Sequence, residues 1–117
     1  MSRTPPPTTD TDKIAILVTF GTEETALVCA RTLVAERLVA CAQLDAPIRS
    51  IYRWQGTICD EREVRLVLKT RRDRFEVVRG RILQLHPYAC PQIVALNIEA
   101  GHRPYLDWID ESLDASD

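Results

Sequence analysis

His86 and Cys90 lie in the run Leu85-His86-Pro87-Tyr88-Ala89-Cys90-Pro91-Gln92-Ile93, where two prolines hold an extended loop. Imidazole and thiolate are good ligands for copper or zinc, and their softness favours these metals over magnesium or calcium. The spacing matches no established closed metal site. His86 has a second reading, as a helix-ending ring that hydrogen-bonds a carbonyl. His102, beside Gly101, reads as an incidental residue of an exposed turn. A His86–Cys90 nucleophile pair would need a depressed thiol pKa and an orienting acid, and the sequence positions neither. GxSxG, HExxH, P-loop and GxGxxG signatures are all missing from the chain. Glu23 and Glu24 stand where a phosphate would meet the first helix and would repel it. The chain therefore reads as non-enzymatic.

Tyr52, Trp54, Tyr88, Tyr105 and Trp108 form the other chemically distinctive set. Aromatic rings with polar tips suit half-buried seams, so this set lines either an interface or a ligand pocket. Lys69 ends a strand, where it meets an anionic ligand in a cleft or simply points to solvent. Cys41, within Leu38-Val-Ala-Cys-Ala-Gln43, reads as a small buried hydrophobe.

These residues must be carried by a small set of elements. Ile14 to Phe20 is an apolar, β-branched run and reads as a central strand. Gly21 then turns the chain, Thr22 suits an N-cap, and Ala26, Leu27, Ala30, Leu33, Val34 and Leu38 recur at helical spacing to about Arg37. Val39 to Trp54 is extended, with Pro47 predicting a sheet edge or a bulge, and Val64, Leu66 and Leu68 alternate with polar residues beyond a turn at Gln55-Gly56. Phe75, Val78, Ile82 and Leu85 mark the inward stripe of a second helix that stops at His86-Pro87. Ile93 to Ile98 is a further strand, and Pro104 opens a short amphipathic helix after Gly101. The predicted fold class is α+β, a ferredoxin-like βαββαβ antiparallel sheet with its helices on one face and a short C-terminal helix. The first strand is apolar on both parities, so the second sheet face needs cover, which predicts a homo-oligomer.

The remaining bounds come from composition. A chain of 117 residues with 45% apolar content fits one domain with a substantial core. Four cysteines at long spacings without CxxC pairs argue against a disulfide framework or zinc ribbon. Residues 1–12 carry three consecutive prolines and no signal-like apolar core, which predicts a disordered tail on a cytoplasmic protein, followed by a single domain over 13–117. No stretch approaches the roughly 20 apolar residues needed to span a bilayer, so no membrane association is expected. Arg and Lys are dense from Arg62 to Arg81, but Glu61, Glu63, Asp73 and Glu76 are interleaved, so the segment reads as a solvated mixed-charge surface and not a nucleic-acid interface.

Leu33-Val-Ala-Glu-Arg-Leu-Val-Ala-Cys-Ala-Gln43, Ser50-Ile-Tyr-Arg-Trp-Gln-Gly56, Glu63 through Leu68-Lys-Thr70, His86-Pro-Tyr88 with Pro91 and Ile93, and Gly101 with Tyr105-Leu-Asp-Trp-Ile109 together resemble the CutA family of divalent-cation tolerance proteins, over about residues 14 to 114. The resemblance implies a tight homotrimer whose hairpin strands extend the sheets across subunits, a part in the response to metal ions, copper binding as proposed for some members, and an inter-subunit cleft reminiscent of PII signalling trimers. Two departures bear on the metal. Ala89 and Gln92 stand where the family commonly has glutamates, and Val18 stands where some members have a cysteine. Of the ligand types the resemblance implies, His86 remains, with Cys90 as a local substitute. A PII-like alternative places Trp54, Lys69, His86 and Tyr88 around a small anionic metabolite. A third reading is a trimeric scaffold whose cleft residues serve packing alone.

Overall fold

The computed structural model describes residues 8, 9 and 11–115. Its elements are β1 (Thr8–Thr9), β2 (Lys13–Phe20), α1 (Glu23–Ala35), β3 (Cys41–Leu44), β4 (Ile48–Trp54), β5 (Thr57–Arg71), a 3-10 turn (Arg72–Arg74), α2 (Phe75–Leu85), β6 (Ile93–Asn97), β7 (Ala100–Gly101) and α3 (Arg103–Asp114). The main sheet is antiparallel in the order β3-β5-β2-β6, with β4 also paired to β5. The tail expected to be disordered lies, for residues 1–7 and 10, outside the described residues. At its inner end Thr8 and Thr9 pair with Gly101 and Ala100, and the Thr11 hydroxyl donates to the Ile98 carbonyl.

β2 is central because one of its parities is wholly apolar. Ile14, Ile16, Val18 and Phe20 are all buried, and Val64, Leu66 and Leu68 of β5 face the same way. α1 and α2 cover this face with Ala26, Cys29, Ala30, Leu33, Val78 and Ile82. Cys29, not named in the helical stripe, belongs to it, and its burial pushes the thiol up to about 11, well out of reach of thiolate chemistry at neutral pH. Val34, named in the stripe, is instead exposed. Thr22 caps α1 by accepting from the Thr25 N–H at 3.2 Å.

The other face of the sheet stays open over much of its area. Val94 and Leu96 of β6 are 45% and 55% exposed, and Ala15 and Leu17 of β2 lie beside them. α3 closes one end only, where Leu106, Ile109 and Leu113 pack with Ala40. A charged clasp holds it there. Arg71 Nη1 donates to Asp110 at 3.1 Å and to Asp114 at 2.8 Å, while Nη2 reaches Asp114 at 2.9 Å. Arg71 holds the Asp114 carboxyl below its ordinary value of 3.8. A lowered folded-state pKa gives stabilisation that is complete above the unfolded value and is lost as pH falls through the folded one. The fall in melting temperature between about pH 5 and pH 3 is therefore expected to be smaller in Asp114→Asn than in the parent protein; an unchanged fall would remove this carboxylate from the acid response.

β4 and β5 continue past the body as a two-stranded arm. Trp54 pairs with Thr57 across a two-residue turn in which Gln55 (φ 50°) and Gly56 (φ 80°) both take the left-handed conformation of a type I′ hairpin. The bulge expected at Pro47 is present. Leu44 faces Leu66 and Ile48 faces Glu63, so three residues, Asp45 to Pro47, oppose two on β5. The arm accounts for a radius of gyration of 16.0 Å and a long axis of 59 Å, against about 13 Å for the radius of a compact domain of this size.

Candidate functional site

At the root of the arm the sheet's open side forms a cavity of about 690 Å³ lined by Thr19, Ser50, Ile51, Tyr52, Trp54, Glu61, Glu63, Tyr88, Ala89, Cys90 and Gln92. Strand alternation builds one wall. Ser50 faces Glu61, Tyr52 faces Cys59 and Ile48 faces Glu63, so Glu61 and Glu63, two positions apart on β5, share a sheet side with Ser50 and Tyr52. The loop from Pro87 to Gln92, between α2 and β6, supplies the other wall through Tyr88 and Cys90.

Tyr88 is set by three neighbours. Its hydroxyl donates to Glu63 Oε2 at 3.2 Å, its ring meets the His86 ring at 4.7 Å, and its backbone N–H donates to His86 Nδ1 at 3.1 Å. Gly21 makes room for it, since a Cβ there would lie 2.9 Å from the Tyr88 hydroxyl oxygen. Removal from water, then the Glu63 carboxylate, raises the Tyr88 pKa. For the half-exposed Tyr52, removal from water and then Glu61 push it up to about 12. Both phenols therefore remain neutral donors at physiological pH.

Glu63 is 7% exposed, and Tyr88 provides its hydrogen bond. The neighbouring cations are engaged elsewhere: Arg49 with Asp60 at 2.7 Å and Arg65 with Asp45 at 2.6 Å. Among the described residues no ion pair reaches Glu63 or Glu61. A carboxylate withdrawn from water without a counter-ion is costly. The wall thus attracts cations and repels anions.

Of the residues singled out in the sequence, Tyr52, Trp54, Tyr88 and Cys90 line this cavity. Lys69 does not. It lies on the open sheet face toward the opposite end of β5, where its Nζ donates to Gln43 Oε1 at 2.7 Å. His86 sits behind the wall, 7% exposed and stacked on Phe20 with ring centroids 4.3 Å apart. Its Nε2 donates to the Thr19 carbonyl at 2.7 Å while Nδ1 accepts from Tyr88, which fixes the Nε2–H tautomer and occupies both nitrogens. Of the two readings open for His86, the geometry is that of the helix-ending ring on a carbonyl, and neither nitrogen is open to a metal ion in this arrangement. Among the described residues no three His, Cys, Asp or Glu side chains of one protomer converge closely enough to hold a metal. The interleaved charges of 61–81 predict a solvated surface for Glu61 and Glu63, and the structure instead sets both on the cavity wall. The signal that distinguishes them is their i, i+2 spacing on a strand beside an aromatic one, Tyr52 and Trp54.

Cys41 is partly buried, with Tyr105 of α3 against it. Tyr105 stacks on Trp108 with centroids 5.5 Å apart, on the exposed side of α3 and away from the cavity. All four cysteines are free thiols. No helix among the described residues is long and apolar enough to cross a membrane.

Residues 14–112 match the family described as CutA1 divalent ion tolerance protein. The divalent-cation tolerance protein CutA of Thermus thermophilus is 44% identical over 97 residues, covering 83% of this chain and 94% of that protein. Protein CutA of Homo sapiens is 37% identical over 95 residues, covering 81% of this chain, which spans about half (53%) of the human protein. Among solved structures, CutA of Synechococcus elongatus superposes with a TM-score of 0.87 at 33% identity, covering 92% of this chain and 96% of that one. A periplasmic divalent cation tolerance protein CutA from Archaeoglobus fulgidus superposes with a TM-score of 0.85 at 35% identity, covering 87% and 99%.

Proposed function

The chain belongs to the CutA1 divalent ion tolerance family, and from that membership we propose that it acts in divalent-cation tolerance as a cytoplasmic homotrimer, without catalysis, whose cation site is the wall formed by Glu61, Glu63 and Cys90. The observation that carries the reading is Glu63, a carboxylate 7% exposed, with no ion-pair partner among the described residues, on the wall of a cavity. The family is named for tolerance and not for a reaction. The trimer rests on the open sheet face around Val94 and Leu96 and on the arm, where Ile51 and Ile58 are 67% and 66% exposed. A ferredoxin-like sheet with helices on one side needs such cover. The free thiols agree with a reducing compartment.

Zinc accepts thiolate and carboxylate ligands together, whereas Cu(I) is drawn to the thiolate alone. One protomer offers too few converging ligands, so a neighbouring protomer must complete the coordination. His86, the ligand expected from the sequence, keeps its role at the end of α2. The anionic-metabolite alternative has no observation in its favour, since its lysine, Lys69, is elsewhere and two carboxylates stand on the cavity wall.

Isothermal titration of the reduced protein with Zn(II), and with Cu(I) under anaerobic conditions, tests the reading. The expected result is saturable uptake of about one ion per protomer by a particle of three times the 13.3 kDa chain mass, weakened roughly tenfold in Glu63→Gln through loss of a charged ligand. Uptake that is unsaturable, or unaltered in Glu63→Gln, contradicts it.

A further inference from the structure

The cavity is far larger than an ion. Its volume of about 690 Å³ lies within the range of pockets that hold small organic molecules. Three aromatic side chains, Tyr52, Trp54 and Tyr88, stand on its lining beside Glu61 and Glu63. The face of an aromatic ring attracts a cation best when the charge is diffuse and weakly hydrated, as in ammonium and guanidinium groups, and a carboxylate beside the rings adds a charge-assisted contact. A small divalent ion gains little from rings and needs several converging oxygen, nitrogen or sulfur ligands. No such set converges within one protomer among the described residues.

We infer that the pocket walled by Tyr52, Trp54, Tyr88, Glu61 and Glu63 binds a small organic cation, an ammonium or guanidinium head on a short apolar body. The inference rests on the reading of this wall as cation-attracting and names a second class of cation for it. The head sits against the rings with its charge toward Glu63, and the apolar body lies along Trp54 and Ile51. Because a divalent ion and the organic cation draw on the same two carboxylates, they compete.

The test uses the assembled full-length protein and choline as probe, with dimethylbutanol, its uncharged isostere, as control. Isothermal titration is expected to show saturable choline binding, at least about tenfold weaker for the isostere and roughly tenfold weaker in Glu63→Gln. Glu61→Gln, at an exposed position, carries the same test should Glu63→Gln not fold. Zn(II) is expected to displace choline. Zn(II) binding without choline binding overturns this inference and leaves the divalent-cation reading standing. Failure of both ligands to bind overturns the two together, as it would if a neighbouring protomer's side chain filled the cavity. Choline binding of equal strength in the parent, Glu61→Gln and Glu63→Gln proteins places the ligand elsewhere and also overturns it.

Discussion

His86→Ala is expected to lower stability by about 3 kcal/mol at fixed protomer concentration, with Zn(II) affinity of the folded fraction changed less than about twofold. The ring is buried, stacks on Phe20, donates to the Thr19 carbonyl and accepts from the Tyr88 N–H. Truncation therefore removes packing in the core and leaves a buried carbonyl and an N–H without partners, each of which costs about 1–3 kcal/mol when unsatisfied. Urea denaturation gives the first quantity and isothermal titration the second. The reverse pattern, intact stability with metal binding abolished, would return His86 to the role of ligand and would require its ring to leave Thr19.

In the proposed trimer, replacing both Val94 and Leu96 with lysine is expected to reduce the particle from three protomers to one. Both side chains project from the open sheet face, 45% and 55% exposed, next to Ala15 and Leu17. Burying two such residues in an interface contributes about 1.5–3 kcal/mol each, and burying an unpaired ammonium there reverses the sign. The α1 and α2 layer is untouched, so the monomer keeps its secondary structure by circular dichroism. Light scattering at micromolar concentration reads the mass. A double variant that remains a trimer would place the interface on another surface.

Much of this architecture is legible in the residues because local and long-range signals agree. β2 stands out through its apolar parity, the Gln55-Gly56 turn through its hairpin geometry, the Asp45–Pro47 bulge through a proline that cannot donate, and α2 through the spacing of Val78 and Ile82. α1 misleads at Val34 because a single apolar side chain on a helix faces solvent at little cost, while Cys29 is small enough to enter the core unnoticed. The pairing of Thr8–Thr9 with Ala100–Gly101 leaves no pattern, since two polar residues carry no periodicity.

The site is legible in its rings and not in its charges. Trp54 and Tyr88 declare themselves as half-buried aromatics. Glu61 and Glu63 are hidden among the interleaved charges of 61–81, because composition cannot say which carboxylate a strand will turn toward a cavity. Lys69 has the same parity as Glu63 but lies six residues further along β5, about 20 Å at strand rise. His86 and Cys90 are close in sequence, yet the helix end turns the imidazole inward and leaves the thiol outward, on the cavity wall.

The most direct test of the cation wall is a crystal structure of the protein grown with Zn(II), with anomalous difference density measured at the zinc edge. The account predicts a peak at this wall, ligated by no more than two of Glu61, Glu63 and Cys90 together with side chains of a neighbouring protomer, and His86 still bonded to Thr19. A peak on His86 Nε2 with the ring swung away from Thr19, or an ordered trimer with no zinc at this wall, would contradict it.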